Sequence, residues 1–371
     1  MKAALASITA RMKMSRDQRE VVVLYLACIA AAVLLSMVLI ELNGASWNTV
    51  LNALLDGSIR KPGRWGETLQ RAAPLLVVAV GSIVAAKAGI INIGQEGQVL
   101  VGAAGAAFLL TKIQPGNPLM LVLGLLLGTA VGAAWAGIAG VLYYWRRIPI
   151  VLSTLLLVYL GSQAAAYTLT RRQLLLNVVP GEPNRLLNSK PVAPNSRLGI
   201  IDIFGNRFPL SVPIAALIAL LGGWVLARTV WGFRLKMLGL NPRTAQRAGV
   251  PEFRYGMAAI LVSGATAGLA GSMMLAGGEA QYKFSSGFAS NAGWDGLLVA
   301  LVARNSPIVA IPVALVFAGL RSGSTFLSVA GVEAVLVDVV RGLLVVALFI
   351  PPAISEMRRR RRALAALTER T

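Results

Sequence analysis

Apolar runs of about membrane-spanning length recur along this chain, and they restrict it to one class of fold. A helix needs about 20 mostly apolar residues to cross a bilayer core. Segments 21–42, 73–90, 97–111, 118–144, 149–169, 210–229, 256–278, 294–304, 306–321 and 334–350 meet or approach that requirement. In hydrocarbon a backbone has no water to bond, so spans must be helices or a closed barrel. The expectation is an all-α, polytopic membrane bundle of about 10 transmembrane helices. The whole of 1–371 reads as one membrane domain, with a basic N-terminus 1–20, a bundle 21–350 and a basic tail 351–371. The eighth and ninth segments are short and separated by Arg304-Asn305-Ser306-Pro307. Two spans, or one broken or re-entrant span, both stay open there.

Charge supports this class. Only 13% of residues are charged, against about 25% in an average soluble domain. The net charge of +20 would suggest nucleic acid in a soluble protein. Here the basic residues sit between apolar segments, where topology and lipid headgroups account for them, and no nucleic-acid partner is expected. Lysine and arginine bias places both termini in the cytoplasm, fixed at one end by the Arg358–Arg362 cluster. The first apolar run is spanning length and lacks a small-residue cleavage site, so it reads as a retained signal anchor. Two longer outer segments result, 43–72 and 170–209. The second carries Pro180, Pro183, Pro191 and Pro194 and ends in a hairpin candidate around Gly205-Asn206.

Several chemistries are excluded. There is no histidine, and the single Cys28 lies inside the first apolar run. No disulfide, metal site or His-based acid–base centre is expected within the chain, nor any cofactor or enzymatic activity of its own. No Gly-x-x-x-x-Gly-Lys-[Ser/Thr] loop is present to cradle nucleotide phosphates.

One stretch breaks the apolar pattern. Arg228–Arg254 is basic and helix-capable, with Arg228, Arg234, Lys236, Arg243, Arg247 and Arg254. It cannot lie in hydrocarbon and reads as a cytoplasmic loop, 230–255. Within it Asn241-Pro242 can start a short helix, because proline suits a first helical position.

A second pattern is an internal repeat. Asn92-Ile-Gly94-Gln-Glu96-Gly97 recurs as Asn291-Ala-Gly293-Trp294-Asp295-Gly296, giving Asn-x-Gly-x-acid-Gly twice. The span count places the first copy at the cytoplasmic end and the second at the external end, as a five-plus-five inverted repeat would. Glycines at such points permit helix breaks that free backbone groups for other partners. Glu96 and Asp295 flank these breaks, and capping of a broken helix competes with direct solute contact for their role. Asp338 and Arg341 are spaced to pair on one helix. Gly124, Gly128, Gly132, Gly137 and Gly140 read as close helix contacts.

These residues carry a family resemblance. Gly89-Ile-Ile-Asn-Ile-Gly-Gln-Glu-Gly-Gln98 resembles the signature region of membrane permeases from ATP-binding cassette importers. The group takes up branched-chain amino acids, monosaccharides and nucleosides, and the likeness is to its nucleoside and simple-sugar branch. Gly239-Leu-Asn241-Pro242 with Ala245 and Ala248-Gly249-Val250 is similar to the group's cytoplasmic coupling motif. Ser263–Gly271 resembles the helix that follows it, and Gly293–Pro307 the second-half signature. The likeness runs from about Leu69 onward.

The resemblance implies a multi-pass permease of the bacterial inner membrane that moves nucleosides. It implies two ATP-binding cassette ATPase subunits, a second related permease and an extracytoplasmic solute-binding protein as partners, with lipid around the bundle. Arg234, Lys236, Gly239, Asn241, Pro242, Ala245 and Gly249 become the expected ATPase-coupling residues. Trp135, Trp294 and Tyr159 are expected to stack on a ring-bearing solute. Asn92, Gln95, Gln98, Ser153, Thr154, Gln163 and Asn291 are placed to hydrogen-bond to it, and Glu96 and Asp295 join them as pathway candidates. A monosaccharide permease and an ion-coupled secondary transporter are the competing expectations.

Overall fold

The computed structural model describes residues 16–329, apart from 43, 45, 114–115, 179–186, 204–205 and 280, together with isolated positions from 339 to 358. Most of the last expected span 334–350, including Asp338 and Arg341, the first 15 residues, and most of the basic tail therefore lie outside the described residues. So do Pro180, Pro183 and Gly205.

The chain divides into two units. One comprises Met1–Leu55 and Gly323–Thr371, the other Asp56–Ser322. The first contains α1 (Arg16–Leu42) and α2 (Trp47–Leu55), and Ile40, Val50 and Leu327 form a small buried cluster within it. The second carries the helices discussed below. In order these are α3 (Arg64–Lys87), α4 (Gln95–Lys112), α5 (Pro118–Arg146), α6 (Ile150–Thr168), α7 (Ser211–Arg228), α8 (Val230–Leu240), α9 (Pro242–Arg247), α10 (Glu252–Gly277), α11 (Ala292–Val302) and most of α12 (Pro307–Val329).

Among the described residues six helices are long and apolar enough to cross a bilayer: α3, α5, α6, α7, α10 and α12. The architecture is thus a polytopic helical bundle. Two expected spans differ from the rest. α4 opens on Gln95-Glu96-Gly97-Gln98, which dilutes its apolar character. α11 has 11 residues, about 16 Å at 1.5 Å per residue, which is half a bilayer core. The turn after α11 puts Arg304 and Asn305 in left-handed geometry (φ 53° and 55°), and α12 starts at Pro307. The open question of 294–321 resolves into a half-length helix followed by a spanning one.

Local signals set the boundaries. Asn117 caps α5 by accepting from the Leu119 N–H at 2.9 Å, with Pro118 in the first position. Thr229 separates α7 from α8 and caps the second through the Gly232 N–H at 3.2 Å. The segment 43–72, expected as an outer connector, is largely helical: α2, a π-helical turn at Asp56–Arg60 and the first turns of α3. The expected hairpin is present as β1 (Ile200–Ile203) paired antiparallel with β2 (Asn206–Pro209). The stretch before it is tied to the far end of α10. Ser189, Val192 and Leu198 donate backbone N–H bonds to Phe284, Tyr282 and Ala276.

α10 is the central post, packed against α5, α3 and α4. Close approach depends on glycine. A β-carbon on Gly268 of α10 would overlap the Gly128 carbonyl oxygen and lie 2.9 Å from the Gly132 Cα of α5. Gly102 of α4 meets the same two helices at Gly268 and Gly128. Small residues let backbones touch where apolar burial supplies no drive between helices. The expected contact role of Gly124, Gly137 and Gly140 agrees, since they face Leu110, Leu261 and Met257.

Candidate functional site

Gly89, at φ +77°, turns the chain back after α3. Residues 90–94 then run back alongside α3, and α4 begins beside its middle. There Gln95 Nε2 donates to the Val78 carbonyl at 3.3 Å and Ser82 Oγ donates to Gln95 Oε1 at 2.6 Å. Asn92 shapes the turn: its Oδ1 accepts from the Gly94 N–H at 2.9 Å, and its Nδ2 donates to Gln98 Oε1 and Ser263 Oγ, both at 3.0 Å. Gln95 Nε2 also reaches Ser263 Oγ at 3.2 Å. Asn92, Gln95 and Gln98 are all buried, so their polar atoms are spent on one another and on Ser82 and Ser263.

The second break arrives at the same place. Glu96 accepts from the Asn291 N–H at 3.0 Å through one oxygen and from the Gly293 N–H at 2.7 Å through the other. A carboxylate from one copy of the repeat therefore caps the start of α11, which is the other copy. Free N–H groups at a helix start favour negative charge. Gly293 is required by this meeting: a β-carbon there would overlap the Glu96 backbone. The approach to α11 is held in unusual geometry, with Gln281, Tyr282, Ser290 and Asn291 all at positive φ.

This corrects the sequence-based placement of the two copies at opposite membrane faces. They meet beside the middle of α3, because both segments turn back into the bundle and start helices there. Gly296 packs on Val78 and Leu75 of α3 from the second side.

Asp295, in the first turn of α11, lies 3.7 Å from Arg321 Nη1, and Arg321 Nη2 lies 3.9 Å from Glu279. Arg321 also donates to the Ala289 carbonyl at 3.4 Å and accepts from Arg71 through its own carbonyl at 3.3 Å. Arg321, Glu279, Ser82 and Ser263 were missed in the sequence. Arg321 carried a signal, a charge on an apolar helix; the two serines carried none beyond their motif.

The other pathway candidates divide. Trp135 is pinned to α6 by its Nε1 bond to the Leu157 carbonyl at 3.1 Å. Ser153 and Thr154 are buried and bond to carbonyls of their own helix at Pro149, Ile150 and Val151. Trp294 is partly exposed and Asn291 exposed. Tyr159 is 66% exposed and shares the outward face of α6 with Leu152, Leu156, Leu160 and Gln163.

The expected coupling residues gather at one elbow. Asn241 caps α9 by accepting from the Thr244 N–H at 3.2 Å, and Pro242 opens the helix. Ala245 points inward, fully buried with Val250, and packs with Leu235 and Leu238 of α8 and Ala88 and Ile90 beside α3. Gly249 at φ +80° ends the helix. Arg243, Thr244, Gln246 and Arg247 face outward. Arg234 donates to the Tyr255 hydroxyl at 2.8 Å, tying α8 to α10. Lys236 is exposed, and Gly239 abuts the Lys87 carbonyl and Gly89.

Among the described residues no group of three or more His, Cys, Asp or Glu side chains is placed to hold a metal ion. A polar cavity of about 510 Å³ sits at the other end of α10, lined by Arg64, Glu67, Asp202, Arg207 and Tyr282 among others.

The family model described as branched-chain amino acid transport system / permease component matches residues 66–349, which include both breaks and the elbow. The chain belongs to that family. This permease is a multi-pass membrane protein. It is 27% identical to the guanosine ABC transporter permease protein NupP of Bacillus subtilis, over 85% of this chain and 88% of the relative. It is 28% identical to the nucleoside ABC transporter permease protein NupB of Lactococcus lactis, over 76% of this chain and 77% of the relative. The glucose ABC transporter permease protein TsgB13 of Haloferax volcanii is 29% identical, over 75% of this chain and 74% of the relative. No solved structure matches the permease.

Proposed function

We propose that this permease moves nucleosides inward as one of two membrane subunits of an ATP-binding cassette importer. The observation that carries the reading is its likeness, over most of both chains, to relatives named as guanosine and nucleoside permeases. ATP hydrolysis belongs to two separate ATPase subunits, and a binding protein delivers solute from outside.

Ten membrane segments, of which α11 is half-length, with both termini in the cytoplasm complete the topology, so α8 and α9 face the ATPases and the β1–β2 hairpin faces outward. The outward face of α9, with Arg243, Thr244, Gln246 and Arg247, is the docking element. It suits an acidic cleft.

The solute path runs along the open face of α6. Burial argues against the polar cluster around Asn92 as the contact surface, because each amide there is already bonded within the chain. Tyr159 and Gln163 are exposed on a membrane-length helix, where a polar side chain against lipid is costly. A second permease across that face would enclose them, leaving Tyr159 to stack on a base and Gln163 to hydrogen-bond.

The likeness to a glucose permease supports a second reading, in which a monosaccharide takes the nucleoside's place. ATP-driven uptake into vesicles carrying the whole complex tests both. Labelled guanosine is expected to accumulate and glucose not to compete. Accumulation of glucose alone would favour the second reading. Uptake driven by an ion gradient with no ATPase present would defeat both. Replacing Asn241-Pro242-Arg243 by Gly-Ser-Gly is expected to abolish ATPase association while membrane insertion is kept.

A further inference from the structure

We propose that Gly89 and Gly239 form a rigid backbone joint that welds the elbow to α3 and carries its movement to the Asn92 break. The inference rests on the coupling reading above, and adds where the movement goes after it enters the chain.

The contact is unusually close. A β-carbon on Gly239 would overlap the Lys87 carbonyl oxygen and lie 2.9 Å from the Gly89 nitrogen. A β-carbon on Gly89 would lie 3.1 Å from the Gly239 Cα. Gly89 is also held at φ +77°, a geometry that side-chain-bearing residues rarely adopt. Gly239 thus excludes a side chain by contact, and Gly89 disfavours one by its left-handed geometry, with a contact that would have to give by a few tenths of an ångström.

Position along the chain gives the contact its meaning. Gly239 precedes Asn241, the cap of the docking helix α9, by two residues, and Gly89 precedes Asn92, the organiser of the first break, by three. Around the joint Leu235, Leu238, Ala245, Val250, Ala88 and Ile90 form one buried apolar cluster. Close-packed elements move together because interiors deform little. A displacement of α9 is therefore passed through α8 to the end of α3 and the 88–94 turn. From there the Asn92–Ser263 and Glu96–Gly293 bonds hand it to α10 and α11. The covalent link from α9 into α10 through Val250 and Pro251 is the competing route, and it does not need the joint.

Two measurements on the assembled complex decide. Gly239→Ala must push the two backbones apart by about 1 Å. With ATPase association and ATP hydrolysis measured alongside uptake, guanosine moved per ATP hydrolysed is expected to fall by about tenfold or more. An unchanged ratio overturns the joint. Loss of ATPase association in the Asn241-Pro242-Arg243 replacement is read separately, so failure of the coupling reading is not confused with failure of the joint.

The second measurement needs neither solute nor a folded Gly239 variant. In a Cys28→Ser background, spin labels at Lys87→Cys and Lys236→Cys are expected to keep one separation when ATP binds, within about 2 Å. A label at Lys236→Cys is expected to move against one at Ala164→Cys on α6. A change in the first separation, or none in the second, overturns the proposal.

Discussion

Glu96→Ala removes a side chain that joins the two copies of the repeat. In the parent, its carboxylate accepts the Asn291 and Gly293 N–H groups at 3.0 and 2.7 Å. A hydrogen bond to a charged group contributes about 1.5–3 kcal/mol, and a buried donor left alone costs about 1–3 kcal/mol. Asn291 is exposed, so water can replace its lost partner. Gly293 is buried against the Glu96 backbone and has no such replacement. The lower end of the combined range, about 2.5 kcal/mol, is the expected loss. For a unit the size of Asp56–Ser322 that corresponds to a fall in Tm of roughly 5 °C. Glu96→Gln keeps one acceptor oxygen without the charge and is expected to fall between. Thermal unfolding of the purified protein in detergent, followed by tryptophan fluorescence, reads the series. A Glu96→Ala protein melting within about 1 °C of the parent would show that the bonds do not hold the break.

Two further substitutions probe the packing around that break. Gly268→Val drives a branched side chain into the Gly128 carbonyl and the Gly132 Cα; overpacking of about 1–3 kcal/mol or more is expected to lower the yield of monodisperse protein in gel filtration, with Gly137→Ala, facing a flexible Leu261 side chain, far milder. Arg321→Met strips the guanidinium from Asp295 and Glu279; uncompensated buried charge costs about 3–5 kcal/mol, and Arg321→Met with Asp295→Asn is expected to recover part of the lost Tm.

The helical class was legible because hydrocarbon leaves so few ways to satisfy a backbone, and the elbow was legible because six basic residues cannot be hidden there. The Asn241-Pro242 start of α9 followed from the fit of proline to a first helical position, and the structure has it as a helix capped by Asn241 with Ala245 inward. What the sequence did not disclose was depth. Asn92 and Asn291 lie at the ends of apolar runs, and run length alone assigns ends of runs to membrane faces. The turn-back at Gly89 and the left-handed stretch from Gln281 to Asn291 depend on tertiary contacts that span counting does not see. Of the polar candidates, Asn92, Gln95 and Gln98 converge on one another and on Ser263, and Glu96 turns to the second break.

That convergence bears on how such a bundle can switch. A polar cluster whose members are all bonded internally gains nothing from a passing solute, since any new bond must replace an existing one. Its value is rigidity: it fixes two broken helices at one point beside the middle of α3. Rigid breaks transmit a push, and flexible ones absorb it. The elbow meets the first break through the close backbone contact of Gly89 with Gly239 and the apolar cluster around it, and the first break holds the second through Glu96. On the proposed coupling, movement entering at α9 crosses from one copy of the repeat to the other through the Glu96 carboxylate. In the proposed reading solute selection is left to surfaces outside this chain of contacts, so that substitutions on the exposed face of α6 bearing Tyr159 and Gln163 would alter the solute without loosening the breaks.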